Sequence, residues 1–125
     1  MKELVMRASS AMKRAYAPYS HFCVGAAVLT EKGNIYSGCN IENASFGATN
    51  CAERTAIFKA VSEGETVIKA VAIVSGNGKP TPPCGICRQV MSEFMAEDGL
   101  VILGIKDAEA KIYMLNELLP ERFIY

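Results

Sequence analysis

The chain has 125 residues, half of them hydrophobic, which suits one domain with a proper core spanning 1–125. Thirteen basic and thirteen acidic residues cancel. No net positive field invites nucleic acid, and no like-charge run reads as a disordered tail, so a small or neutral partner is expected. No apolar stretch approaches the roughly 18 residues of a membrane span, and charge interrupts the N-terminal segment where a signal peptide would be apolar; a cytoplasmic protein is expected.

Leu4, Val5, Ala8, Ala11, Met12, Ala15 and Tyr16 recur at helical spacing until Pro18 stops the pattern. Residues 22–30 and 35–41 are β-type runs around the turn Lys32-Gly33-Asn34, which predicts a hairpin. Residues 41–50 read as a loop. A second helix is predicted from Cys51 to Glu63, with Thr49 or Asn50 able to cap it and Gly64 to end it.

Residues 69–75 form an almost wholly apolar, β-branched run, as expected of a strand covered on both faces. After the turn-rich stretch 76–83, Cys87, Val90, Met91, Phe94 and Met95 mark one face of a third helix. A strand over 100–105, a turn over 106–110, another strand over 111–115 and a short helical end or tail complete the chain. The order α-β-β-α-β-α-β-β predicts an α/β fold, a three-layer α-β-α sandwich around a mixed sheet of about five strands.

Five cysteines is an odd number, and in a reducing compartment they read as thiols, metal ligands or nucleophiles before disulfides. Cys84 and Cys87 form a CxxC at a helix start, which by itself could be a redox dithiol, half of a structural zinc site, or coincidence. Cys51 also stands at a helix start, so two helix N-termini can aim three sulfurs at one point. Three ligands without a fourth favour an open, catalytic zinc site over a closed structural one.

Glu53, two residues past Cys51, can reach off the end of its helix beside such a metal, where a carboxylate takes a proton from activated water and hands it to a substrate. Arg54 is either a helix-surface cation or a donor to the sulfurs that draws off the charge of three thiolates. Isolated Cys23 and Cys39 read as small buried hydrophobes, the single His21 as a surface or hydrogen-bonded residue, and Met91 and Met95 as packing.

The pair CAE at 51–53 and PCGIC at 83–87 resembles the cytidine deaminase family, whose signature combines His or Cys, any residue and Glu with P-C-x-x-C. YSHFCVGAAV, GCNIENASFG, NCAERTAIFKAVSEG, PPCGICRQV and ELLP extend that resemblance along almost the whole chain. It implies a cytidine deaminase-like fold and one Zn(II) per chain on Cys51, Cys84 and Cys87, with Glu53 as the proton shuttle. It further implies Phe22 stacked on a pyrimidine, Asn40 and Glu42 on the ribose hydroxyls, and the Ala52 N–H on the base carbonyl. An aromatic face suits a flat base, and an amide with a carboxylate suits a vicinal diol.

The reaction implied is hydrolysis of cytidine and deoxycytidine to uridine and deoxyuridine in pyrimidine salvage. Small members of the family resemble homotetramers with shared active sites, which here would bring Phe46 and Phe123 from neighbouring subunits. Phe46 stands where relatives often carry tyrosine, and only two residues follow Phe123. Deamination of an antibiotic such as blasticidin S is therefore a second reading. A noncatalytic structural-zinc or redox domain would leave Glu53 and Arg54 without a role, and editing of RNA or single-stranded DNA is disfavoured by the neutral charge.

Overall fold

A computed structural model describes all residues, 1–125. The chain runs α1 (Lys2–Met12), β1 (Val24–Thr30), β2 (Ile35–Cys39), a 3-10 turn (Phe46–Ala48), α2 (Ala52–Ser62), β3 (Ile68–Ser75), α3 (Gly85–Phe94), β4 (Met95–Ile105), β5 (Ala108–Met114) and α4 (Leu115–Leu118). One five-stranded sheet has the spatial order β2-β1-β3-β4-β5. β1 is antiparallel to β2 and β3, β3 and β4 are parallel, and β5 returns antiparallel on β4. The parallel pair needs a crossover, and α3 supplies it.

Alternation along the central strands divides the core in two. Val24, Ala26 and Val28 of β1, Val71 and Ile73 of β3, and Val101 and Leu103 of β4 pack under α2 and α3, against Ala56, Ile57 and Met91. Ala27, Ala70, Ala72, Val74 and Ile102 point to the opposite face and pack under Leu4 and Ala8 of α1. Because β3 carries apolar residues on both faces, it is the middle of a three-layer sandwich.

Two glycines let the helices descend onto the sheet. A Cβ at Gly25 would lie 2.0 Å from the Ala8 carbonyl oxygen, and one at Gly38 would lie 2.7 Å from the Ala56 backbone nitrogen. The first fixes how closely α1 crosses β1. The second seats α2 on β2, and with it the residues at the start of α2.

Several element ends differ from the sequence expectation. α1 stops at Met12, because Tyr16 leaves the helical pattern to pair with residues 40–42: its N–H donates to the Asn40 carbonyl at 3.0 Å and its carbonyl accepts from Glu42 N–H at 2.8 Å. Met95 opens β4, opposite Ile68, rather than closing α3, and β5 begins at Ala108, leaving a turn of only Lys106 and Asp107. Neither Thr49 nor Asn50 caps α2. The capping position belongs to Cys51, while Thr49 Oγ1 accepts from Asn43 N–H and the Asn50 amide donates to Thr55 Oγ1 at 3.0 Å. Gly64, at φ 91°, follows the end of α2 as expected.

Candidate active site

Three chain segments converge at one end of the sheet. The loop after β2 is closed by reciprocal hydrogen bonds between Ile41 and Asn50, each 2.9 Å, so residues 40–42 lie beside the start of α2. The Thr55 hydroxyl, itself held by Asn50, donates to the Cys51 carbonyl at 3.2 Å and fixes that start. From the other direction, Arg88 donates through Nε to the Pro83 carbonyl at 2.7 Å and through its guanidinium to the Leu118 carbonyl, tying the approach to α3 to α4.

Cys51 and Cys84 therefore occupy the capping positions of two different helices, and Cys87 lies in the first turn of α3. Their sulfurs lie within 4.8 Å of one another, with Cys51 and Cys84 3.8 Å apart. That spacing is far beyond a disulfide, at about 2.05 Å. It matches the edge of a tetrahedron with metal–sulfur bonds of about 2.3 Å, which is about 3.8 Å. Arg54 donates to the Cys51 sulfur at 3.3 Å, whereas its buried Nε has no partner. Three convergent sulfurs with a guanidinium beside them are a donor set suited to zinc.

The titration of the cluster is collective. The Cys51 thiol is drawn down to about 5, first by a hydrogen bond from Cys87 and then by Arg54 and Cys84. Cys87, the donor in that pair and buried beside Glu53, is pushed up. Glu53 is only 5% exposed, and its carboxyl is raised to about 7, chiefly by burial and further by the charge of Cys51, against opposing pulls from its own N–H, Cys87 and Arg54. A carboxyl titrating there can both take and release a proton near neutrality.

Glu53 shares a cavity of about 310 Å³ with Cys51, Cys84, Ala52, Phe22, Asn40 and Glu42. All but three of the candidate site residues outside the metal cluster thus meet in one place. Arg54 stands behind the sulfurs. Phe46 and Phe123, 76% and 69% exposed, lie outside the cavity; Phe46 packs edge-on to Tyr19 with ring centroids 6.1 Å apart. The cavity wall also includes Ser20, Val24, Thr49, Thr81 and Pro82, none of which the sequence singled out.

Asn40 is 9% exposed and clamps the strand that follows Phe22: its Oδ1 accepts from Val24 N–H at 2.9 Å, and its Nδ2 donates to the Phe22 carbonyl at 2.8 Å. Ala52 is fully buried, and as the first residue of α2 its N–H has no partner inside the helix. His21, Cys23 and Cys39 are absent from the cavity wall and from the sulfur cluster. Met91 is core.

Fold and site together define a zinc-type α/β enzyme scaffold in which a buried carboxylate adjoins a three-cysteine cluster. Residues 1–103 match the family described as cytidine and deoxycytidylate deaminase zinc-binding region, and the chain belongs to that family. It is 50% identical over 120 residues to a cytidine deaminase of Halalkalibacterium halodurans, covering 96% of this chain and 91% of that protein. A cytidine deaminase of Sporosarcina psychrophila is 46% identical over 123 residues, 98% of this chain and 90% of that one. Among solved structures, the cytidine deaminase of Burkholderia pseudomallei superposes with a TM-score of 0.91 at 43% identity, covering 98% of each chain.

Proposed function

We propose that the chain, as a single catalytic domain over 1–125, is a hydrolase that deaminates cytidine and deoxycytidine to uridine and deoxyuridine with release of ammonia. The observation that carries this reading is the shared cavity in which the Glu53 carboxyl, raised to about 7, lies beside the sulfurs of Cys51 and Cys84. In this reading Cys51, Cys84 and Cys87 hold one Zn(II) per chain. When bound, zinc makes a water molecule acidic enough to serve as the nucleophile at neutral pH.

Glu53 would take a proton from the attacking water and pass it to N3 of the base as the water oxygen adds to C4. Glu53 then takes the proton of the hydroxyl added at C4 and delivers it to the C4 amine; the C4–N bond breaks, ammonia leaves, the C4 carbonyl of uracil forms, and Glu53 is again a carboxylate. Burial excludes bulk water from these transfers. Phe22 covers the base, the Ala52 N–H at the start of α2 binds its carbonyl, and Asn40 and Glu42 take the ribose hydroxyls. Arg54 offsets the negative charge of the sulfurs, so that the metal remains an effective Lewis acid.

Cytidine is favoured over an antibiotic substrate by the names of the relatives. The exposed aromatic side chains of Phe46 and Phe123, lying outside their own chain's cavity, support a homotetramer with shared active sites. Thiols kept as metal ligands suit a reducing compartment, which supports a cytoplasmic role in pyrimidine salvage. No helix is long and apolar enough to cross a membrane. The zero net charge supports a nucleoside rather than nucleic acid as substrate.

The test is ammonia release from purified protein of measured metal content, on cytidine, deoxycytidine, cytosine, adenosine and blasticidin S. Conversion of the two cytosine nucleosides at about one zinc per chain is the expected result. Conversion of blasticidin S alone would replace the substrate, and zinc without any turnover would defeat the enzymatic reading.

A further inference from the structure

Glu42 is in neither ion pair of the molecule, and the one charged side chain acting on it is the neighbouring His21. The Glu42 carboxylate is held instead by the turn before β1. Tyr19 and Ser20 N–H donate to Oε1 at 2.9 and 3.1 Å, and the Ser20 hydroxyl donates to Oε2. Two of the three donors therefore come from Ser20. The same hydroxyl oxygen accepts from Phe22 N–H at 3.0 Å. His21, between them, adopts the left-handed conformation at φ 58°, which folds the chain back so that this contact can form.

The Phe22 backbone is thus gripped on both sides, its N–H by Ser20 and its carbonyl by Asn40. Ser20, Phe22, Asn40 and Glu42 all line the cavity. A carboxylate has about four acceptor sites, so the three donors leave Glu42 capacity for a ligand hydroxyl. Removing the Ser20 hydroxyl would free one oxygen of Glu42 and the Phe22 amide together.

We propose that Ser20 is a positioning residue for sugar recognition: its hydroxyl orients Glu42 toward the nucleoside diol, and its oxygen ties that orientation to the backbone of the residue covering the base. The inference rests on the deaminase reading above, which places a ribose on Glu42 and a base on Phe22. It adds a residue that shares the cavity with Cys51 and Cys84 but bonds neither, and whose effect falls on substrate binding. Hydrogen bonding by Ser20 is also the leading cause that holds the Glu42 carboxyl below the ordinary glutamate range.

The experiment compares wild type, Ser20→Ala and Ser20→Thr, each at matched zinc content, on cytidine and on 2′,3′-dideoxycytidine, which lacks the diol. Ser20→Ala is expected to raise KM for cytidine about tenfold, the scale of one lost charge-assisted hydrogen bond, with kcat within about twofold. KM for dideoxycytidine changes little, so the preference between the two nucleosides shrinks about tenfold, and Ser20→Thr restores it. Carbon-13 titration of glutamate-labelled protein, assigned with Glu42→Gln, gives a second readout: Glu42 titrates at higher pH in Ser20→Ala. An equal loss on both nucleosides, an unchanged preference, or an unmoved Glu42 titration would each overturn the inference. Wild-type protein that holds zinc and converts no nucleoside would overturn the deaminase reading and the sugar role together, whatever the titration gave.

Discussion

Two buried glutamates in this molecule, Glu53 and Glu65, are 5% and 8% exposed and titrate in opposite directions. Glu65, just beyond α2, accepts from the Thr30 hydroxyl, from Asn34 Nδ2 at 2.9 Å and from the Tyr36 hydroxyl. These donors hold its carboxyl below the ordinary range, and the hydrogen bond to Glu65 in turn raises the Tyr36 phenol. Glu53 has only its own N–H and the Cys87 thiol as neutral donors, and burial outweighs them and raises it to about 7. Burial disfavours the charge at both positions, and hydrogen bonding decides whether that penalty is answered. The fully bonded carboxylate latches the β1–β2 hairpin to the end of α2, while the less well bonded one keeps a raised value of the kind that proton transfer requires.

The largest expected effect of breaking this contrast is on turnover. Glu53→Gln keeps the shape and removes the proton acceptor, so kcat should fall at least about 10³-fold while bound zinc, measured by atomic absorption, stays near wild type. Glu65→Gln, by the same assay, should stay within a few-fold of wild type. A Glu65 variant that loses turnover as completely as the Glu53 variant would erase the functional difference between the two.

Arg54 sharpens the comparison from the cationic side, since it touches the Cys51 sulfur and lowers the Glu53 carboxyl. Arg54→Gln should reduce kcat/KM or zinc affinity by about 10- to 100-fold, read by steady-state kinetics and chelator competition. An unchanged enzyme would mean that Arg54 is a helix-surface cation only.

Stability against pH separates the two carboxyls by sign. Glu53 has a folded value of about 7, above its ordinary 4.5, so its stabilising contribution is full below about 4.5 and is lost as pH rises through 7. In metal-stripped protein that loss amounts to about 3 kcal/mol, and Glu53→Gln should flatten the slope between those values in denaturant melts. Glu65 runs the other way, because its lowered value makes a contribution that is present above about 4.5 and lost as pH falls below its folded value. Glu65→Gln should flatten that acid limb and lower the thermal midpoint at neutral pH, the smallest of these effects. Slopes of the same sign in both variants would contradict the contrast.

These two residues also mark where reading along the chain stops. Glu53 was legible as a candidate proton carrier, because two residues from Cys51 at a helix start is a local relation. Glu65 carried no signal, since its partners Thr30, Asn34 and Tyr36 are about thirty positions away and belong to a different element. Ser20 escaped for the same reason: its hydroxyl bonds Glu42, 22 positions on. Thr49 and Asn50 look like helix caps by residue type, yet their side chains bond Asn43 and Thr55 instead and leave that position to Cys51. The early end of α1 is a further case, because Tyr16 has helical spacing but bonds the backbone of residues 40 and 42.

What the sequence determined alone was the order of elements, the two-faced central strand and the candidate sulfurs, carboxylate and arginine, all encoded in periodicity and short spacings. Only the tertiary structure decided that the cysteines at two helix starts lie within 4.8 Å of one another, that Glu53 opens into their cavity, and which buried glutamate is satisfied. Those outcomes depend on how closely α2 settles onto β2 over Gly38, and on which donors the fold brings within about 3 Å of each carboxylate. Distances of that kind arise from packing between segments far apart in the chain, and no local pattern specifies them.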